Sequence, residues 1–248
     1  METFTEKELH KLYYKHVKKS ADYFNKHYYL PMCPVKSWNY NWQNFDFPRT
    51  WCVLDFKEWV EFLEIGANHP INISNTYLLE TKYNWRGIMV EYDGKWLDQY
   101  RQHRPKSSYV MGDATQQNYE ALLQVGNYPT TLDFLQIDLE VNNRSILTTL
   151  ELIEQQVMPT RNFAVITFEH DIYVGNCFDT RAKSREIFER NGYYRVYSDV
   201  GNIPFAPNNM TLYKFEDWYV HPDLVDTDYI RQIERTDIFN YQELVPLW

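Results

Sequence analysis

Short apolar runs alternate with amphipathic stretches between residues 61 and 199. The runs predict buried strands, and they are EFLEIG at 61–66, GIMVEY at 87–92, SSYVMG at 107–112, LDFLQID at 132–138, FAVITFE at 163–169 and, more weakly, YYRVYSD at 193–199. The stretches between them have helical spacing, and they are 74–83, 95–102, 117–125, 145–158 and 180–191. Such alternation predicts an α/β fold with a Rossmann-like, doubly wound and mostly parallel sheet and helices on both faces.

The two ends of the chain have a different pattern. Residues 6–27 have helical spacing, and residues 28–51 are rich in proline, asparagine and aromatics. We therefore predict an N-terminal helix and an aromatic wrap or lid over residues 1–59, a main domain over 60–225 and a packed tail over 226–248. The run FEDWYVHP at 215–222 is interpreted either as an edge strand, which would bring the sheet to seven strands, or as part of a carbohydrate cleft.

Composition and charge narrow the function classes. The chain has 248 residues and a formal net charge of -9, so no nucleic-acid partner is expected, because protein surfaces that bind nucleic acid are basic. Cys33, Cys52 and Cys177 are odd in number and lack metal-ligand spacing. With no apolar leader and no apolar run of about 20 residues, a cytoplasmic protein without a membrane span is predicted. The sequence leaves the oligomeric state open.

Polar residues follow the first predicted strand, at the edge where open α/β sheets bind ligands. Gly66 would let the backbone approach a ligand closely. Ser74, Asn75 and Thr76 would begin the next helix, whose N–H groups could face an anion. Because the full G-x-G-x-x-G pattern is absent, an ordinary strand-to-helix turn is the alternative.

Acidic residues follow the next two strands. Glu91 could accept hydrogen bonds from both ribose hydroxyls of a nucleoside. Asp113 could accept one from an adenine amino group, or it could be only a cap or turn residue. Glu91 together with Glu64 and Gly66 favours a nucleoside cofactor.

The fourth and fifth strands also end in ionisable residues. Asp138 and Glu140 are two apart at a strand end, where they could share a metal or act as a base and its orienting group. Glu169, His170 and Asp171 follow the apolar run AVITF, and three such groups are hard to place in a core. A cleft is therefore predicted at this edge.

The series EIGAN, VEYD, GDAT, DFLQIDLE and TFEHD, in this order, resembles the FkbM-like branch of the class I S-adenosylmethionine-dependent methyltransferases. The resemblance covers residues 61–199, and the phrases TR-x-x-SR-x-IF and FEDWYVHPDLV extend it to Val225. Members of this family are O-methyltransferases that often act on sugars. The resemblance thus implies S-adenosylmethionine as cofactor and a glycan, nucleotide sugar or other small molecule as acceptor.

The resemblance also implies roles for individual residues. The residues implied for cofactor binding are Glu64, Gly66, Ala67, Asn68, Ser74, Glu91, Tyr92, Asp113 and Ala114. Those implied to face the acceptor are Asp138, Glu140, Glu169 and His170. The chain departs from the family pattern at Asn68 and Pro70, where flexible residues often stand, and at Val141, where a glycine is common.

Methyl transfer to a hydroxyl needs help in removing the proton. His170 is the first candidate for the base, because an ordinary histidine titrates near neutrality, and Asp138 is the second. A metal site made from Asp138, Glu140 and Glu169 would suit Mg²⁺ or Mn²⁺. Outside these motifs, Arg181 and Arg185 lie four apart and could contact an anionic substrate or pair with Glu189.

Three other functions stay open from the sequence. The chain could methylate a non-sugar hydroxyl or an amine. A dehydrogenase fits Gly66 and Glu91 but lacks the other glycines. A non-catalytic binding protein on the same fold would explain the thinned glycine motif.

Overall fold

The computed structural model describes residues 60–72, 74–202 and 213–234. The predicted helix at 6–27 and the aromatic segment at 28–51 lie outside these residues, as does most of the predicted tail. The seven strands are β1 Glu61–Ile65, β2 Arg86–Glu91, β3 Ser108–Met111, β4 Thr131–Ile137, β5 Asn162–Glu169, β6 Tyr194–Asn202 and β7 Tyr213–Val220.

Helices separate the strands, as the amphipathic spacing predicts. They are α1 Tyr77–Tyr83, α2 Leu97–His103, α3 Tyr119–Val125, α4 Ser145–Gln156, α5 Thr180–Arg190 and α6 Thr227–Ile233. Short 3₁₀ turns lie at Gly94–Trp96, Ala114–Gln116, Cys177–Asp179 and Pro222–Leu224. In the part of the chain described here, no helix has both the length and the apolar character that crossing a membrane requires.

The strands form one sheet in the order β3-β2-β1-β4-β5-β7-β6. All neighbours pair in parallel except β7, which is antiparallel to both β5 and β6. The predicted doubly wound, mostly parallel seven-stranded sheet is therefore confirmed. The expectation of an edge strand at 215–222 is wrong, because β7 pairs on both sides and its second half is buried.

Apolar side chains cover both faces of the sheet, which explains why the strands are so continuously apolar. On one face, α3, α4 and α5 pack against the sheet through Leu123, Leu150 and Phe188. On the other face, α1, α2 and α6 pack through Leu79, Tyr100 and Ile230. The two faces of the sheet are thus covered by helices, and the loops that follow the strands lie at its carboxyl edge.

Candidate functional site

The carboxyl ends of β1 to β6 lie along one edge of the sheet, where β7 begins. β1 and β4 are neighbours in this sheet, although β2 and β3 separate them in the chain. The chain therefore reverses its direction of travel across the sheet between β1 and β4. In open α/β sheets such a point is where ligands bind.

Gly66 makes the turn that leaves β1 at this point. Its φ is +83°, and a Cβ built on it would lie 1.8 Å from the backbone oxygen of Asp138. Gly66 N and Ala67 N both donate to the oxygen of Val90, at 2.9 and 3.1 Å. The glycine is therefore required by the close approach of the β4 end, whether or not a ligand is bound.

Glu91 ends β2 and joins two loops through its carboxylate. Its Oε2 accepts from Asn68 N at 2.6 Å, and its Oε1 accepts from Asp93 N at 2.8 Å. A carboxylate has about four lone-pair sites, so about two of them stay available at this half-buried group. The next residue, Tyr92, is 77% exposed at the same edge.

Asp113 caps the turn after β3. Its Oδ1 accepts from Thr115 N at 2.8 Å and from Thr115 Oγ1 at 2.7 Å. Ala114 is buried, and its oxygen accepts from the hydroxyl of Tyr119 at 2.7 Å. The capping role considered for Asp113 is thus present, and its carboxylate stays exposed beside it.

Glu64 is buried beneath the loop that follows β1, and Ser74 is a buried residue of that loop. The Glu64 carboxylate is 1% exposed and accepts from Asn75 N and from Thr76 Oγ1. Burial raises the pKa of Glu64, against the opposing effects of Arg104 and of these two hydrogen bonds. The Asn75 N–H therefore donates to a carboxylate of the chain itself, that of Glu64, and is not free for a ligand.

The two carboxylates that follow β4, those of Asp138 and Glu140, differ in burial. Asp138 N donates to the oxygen of Ile65 at 2.9 Å, which holds this residue beside the Gly66 turn. The Asp138 side chain is half-buried, whereas Glu140 is exposed and Val141 is in the core. Asp138 therefore lies at the switch point, and Glu140 lies towards solvent.

His170 follows β5 and is turned into the protein. Its ring is 1% exposed, and Nε2 lies 3.4 Å from an oxygen of Asp199 and 3.4 Å from an oxygen of Asp217. Its Nδ1 accepts from Ile172 N at 3.3 Å. The predicted base is thus held between two carboxylates, in a buried cluster among β5, β6 and β7.

Two arginines of α5 complete this cluster. Arg185 binds both oxygens of Asp217, at 2.6 and 2.9 Å, and also Asp199 at 3.0 Å. Arg181 binds Asp199 at 3.0 Å. The predicted pairing with Glu189 is wrong, because that carboxylate lies 3.4 Å from the guanidinium of Arg195 on β6.

The electrostatics of Asp217 follow from these partners. Burial alone would raise its pKa, but the His170 ring and the Arg185 guanidinium outweigh burial and hold the pKa of Asp217 well below its usual range. Sequence reasoning missed Asp199 and Asp217. The available signal was Asp217 itself, a charged residue directly before the apolar run WYV.

The predicted metal ligands do not gather. Within residues 60–72, 74–202 and 213–234, the one group of at least three potential ligands whose atoms lie within 4.8 Å of one another is His170, Asp199 and Asp217. Both of its carboxylates already bind arginines, whose positive charge would oppose a metal ion. Neither this group nor Asp138, Glu140 and Glu169 therefore fits a divalent ion.

The chain resembles solved methyltransferase structures at low identity. A TehB-like SAM-dependent methyltransferase from Corynebacterium glutamicum is 14% identical, with 85% of this chain and 97% of that chain covered and a TM-score of 0.42. Precorrin-6y C5,15-methyltransferase from Geobacter metallireducens is 15% identical, covering 64% and 78%, with a TM-score of 0.37. The Dnmt2 methyltransferase of S. pombe is 10% identical, covering 73% and 57%, with a TM-score of 0.42.

No protein-family model matches the sequence, and no curated protein matches it either. The fold assignment rests on the strand order and strand directions described above.

Proposed function

We propose that the chain is an S-adenosylmethionine-dependent O-methyltransferase that acts on a sugar hydroxyl. The observation that carries the proposal is the position of Glu91. Its carboxylate lies between the loops after β1 and β2, and its two backbone hydrogen bonds leave it able to accept two more. Two adjacent hydroxyls on a ribose are the donors that such a group would receive.

The loops around Glu91 would hold the rest of the cofactor. In this proposal the methionine part lies along Gly66, Ala67 and Asn68. Tyr92 offers an exposed aromatic ring for the adenine, and Asp113 with Ala114 offers polar contacts beside it. S-adenosylmethionine supplies a methyl group on a sulfonium, whose carbon an acceptor oxygen can attack in line.

The acceptor would lie beyond the ends of β4 and β5. The loop that follows His170 exposes about half of Tyr173 and Phe178, and carbohydrate sites often pair such aromatic faces with carboxylates. Arg181 is paired with Asp199, and Arg185 is paired with both Asp199 and Asp217. This engagement favours a neutral sugar of a glycan over a nucleotide sugar, whose phosphates would need cations.

The protein must also accept the proton of the attacking hydroxyl. Asp138 is the better candidate for this base, because it is half-buried at the switch point beside Gly66. His170 is enclosed by Asp199 and Asp217, so an acceptor would reach it only after this cluster opens. Holding the two reactants in line and excluding water would supply the remaining rate enhancement.

The first test is calorimetric titration with S-adenosylhomocysteine. We expect micromolar binding to the wild type and a loss of at least about tenfold in Glu91→Ala, because two charge-assisted hydrogen bonds to the ribose disappear. Asp98→Ala is the matched control. It removes a carboxylate on nearby α2 that is 92% exposed and, among the described residues, forms an ion pair with Arg101 on the same helix, so binding should stay unchanged.

Two results would contradict the proposal. Absence of binding by the wild type would favour a non-catalytic protein or another cofactor. Equal binding by wild type and Glu91→Ala would remove the ribose contact. If binding is established, transfer of a labelled methyl group to neutral, phosphorylated and amino sugars tests the acceptor. Dialysis against EDTA should leave this transfer unchanged, because neither candidate ligand group fits Mg²⁺ or Mn²⁺.

A further inference from the structure

A buried arginine fastens the loop between β1 and α1. This loop is defined here by residues 67–72 and 74–76. Arg104, at the end of α2, is fully buried, and its Nε donates to Glu80 on α1 at 2.8 Å. The rest of its guanidinium faces the loop: Nη1 donates to Ser74 Oγ at 3.0 Å, and Nη2 donates to Thr76 Oγ1 at 2.6 Å. One side chain thus joins α1, α2 and the loop.

Thr76 links Arg104 to β1 through hydrogen bonds. Its hydroxyl accepts from Arg104 and donates to the Glu64 carboxylate, so it uses both its donor and an acceptor site. The other Glu64 oxygen accepts from Asn75 N. The far end of the loop is held from α2 by Tyr100, whose hydroxyl donates to the oxygen of Asn68 at 2.8 Å.

The ligand-facing side of the same loop meets Glu91. Asn68 has a φ of +51°, a conformation that needs support from its surroundings in a residue other than glycine. Its oxygen is bound by Tyr100 from one side, and its N–H by Glu91 from the other. The buried network below the loop is therefore connected through the loop backbone to the group proposed to bind ribose.

We propose that Arg104 and Thr76 are positioning residues for cofactor binding, which hold the β1–α1 loop in the shape that receives the methionine part. They touch no ligand themselves and act through the loop backbone and through Glu64. This inference rests on the proposed function. A hydroxyl that both donates and accepts a hydrogen bond is hard to replace. Substituting Thr76 should therefore weaken cofactor binding more than the size of its side chain suggests.

Arg161 provides a matched control at the opposite edge of the sheet. It too is a buried arginine that binds a carboxylate, Glu120, with Nε at 2.8 Å and Nη2 at 3.0 Å. It too holds a loop, because Nη1 donates to the oxygens of Tyr128 and Pro129. That loop leads into β4 at its amino end, away from the proposed cofactor site. Substituting Arg161 reports the stability effect of losing such a side chain, without the positioning effect.

The experiment compares four variants by titration with S-adenosylhomocysteine, well below each melting temperature. Thr76→Val removes the hydroxyl at nearly constant volume, and Thr76→Ser restores it. Arg104→Lys and Arg161→Lys each replace a guanidinium fork by a single ammonium group. We expect Kd to rise about tenfold in Thr76→Val and Arg104→Lys, and to stay within about twofold of the wild type in Thr76→Ser and Arg161→Lys.

Hydrogen exchange without ligand gives a second readout. Amides of the β1–α1 loop should exchange faster in Thr76→Val than in Thr76→Ser, whereas amides of β4 and β5 should not differ. If Arg104→Lys does not fold, the two Thr76 variants still decide the question.

Three outcomes would overturn the inference. Binding by Thr76→Val equal to that of Thr76→Ser would remove the bridging role and leave the proposed function intact. Equal weakening by Arg104→Lys and Arg161→Lys would show a general loss of stability. No binding by the wild type would refute the proposed function and this inference together. That failure is recognised from the wild type alone, whereas the first two outcomes are seen only by comparing variants.

Discussion

Glu64 in β1 and Asp217 in β7 are both buried carboxylates of one sheet, yet the structure moves their pKa values in opposite directions. Glu64 is 1% exposed, and burial raises its pKa. Asp217 is 0% exposed, and its pKa is lowered, because the His170 ring and Arg185 outweigh burial. Burial is the same in both regions, so the partners decide the sign.

The partners differ in charge. The Glu64 carboxylate accepts from a hydroxyl and a backbone N–H, and its nearest cation, Arg104, reaches it through Thr76. The Asp217 carboxylate is bound on both oxygens by one guanidinium. The β1 region therefore contains a buried acid with no directly bound cation, and the β7 region contains an ionic cluster whose carboxylates bind arginines.

The largest expected effect comes from breaking the cluster of His170, Asp199, Asp217 and the two arginines. Arg185→Met keeps much of the side-chain volume but leaves Asp217 buried without its bidentate partner. We expect the free energy of unfolding to fall by about 3–5 kcal/mol, since removing one partner of a buried pair leaves an uncompensated charge. Urea unfolding at pH 7 measures this loss.

Arg190→Met is the control for this prediction. Arg190 lies on the same helix and binds Glu154 with the same bidentate geometry, at 2.7 and 2.6 Å, but its side chain is 49% exposed. Because solvent screens this pair, the loss should be far smaller. Equal losses in the two variants would mean that burial does not set the strength of these pairs.

At low pH, the free energy of unfolding should depend on the protonation of Asp217. A carboxyl with a lowered folded-state pKa stabilises the protein above its unfolded pKa, near 3.8, and this contribution is lost as the pH falls through the folded pKa. Stability of the wild type should therefore drop below about pH 4, with a slope of up to about 1.4 kcal/mol per pH unit from this group. In Arg185→Met this acid slope should be shallower. An unchanged slope would assign it to other carboxyls.

Glu64 should show the opposite sign. Because its folded-state pKa is raised, the folded protein holds a proton that the unfolded chain releases above about pH 4.5, so this group makes stability fall as the pH rises from there to the folded pKa. Glu64→Gln should remove this fall and flatten the profile above pH 4.5. The measurement is urea unfolding from pH 4 to 8, and a profile identical to that of the wild type would contradict the raised pKa.

The same comparison shows what the sequence can predict. Apolar runs separated by amphipathic stretches predicted six strands and five helices in their correct places, because burial on both faces of a parallel sheet requires that pattern. The turn at Gly66 and the carboxylate at the end of β2 were also predictable, since each follows directly from its position after a strand.

The β7 side was not predictable in this way. Asp199 and Asp217 meet His170 only because β7 returns antiparallel between β5 and β6, and this order depends on contacts between distant parts of the chain. Asp199 also lies at an irregularity of the β6–β7 pairing and has a φ of +54°, which no local pattern indicates. Local periodicity places residues along strands, but it does not set the order of strands in the sheet.

The smallest expected effect concerns a carboxylate that is neither buried nor ion-paired in the described region, which isolates the contribution of local, uncharged hydrogen-bond donors. Asp113 is exposed, and its Oδ1 accepts from Thr115 N and Oγ1 at the turn after β3. Asp113→Ala should lower the free energy of unfolding by about 1 kcal/mol, the usual cost of losing such a cap. Asp113→Asn keeps an oxygen acceptor and should cost much less.

If Asp113 also contacts adenine as proposed, Asp113→Ala should weaken S-adenosylhomocysteine binding at pH 7 as well, whereas a purely capping residue would change urea unfolding and leave binding nearly unaltered. A stability loss in Asp113→Ala as large as that in Arg185→Met would show that local, uncharged donors stabilise a carboxylate as much as burial with a cation does.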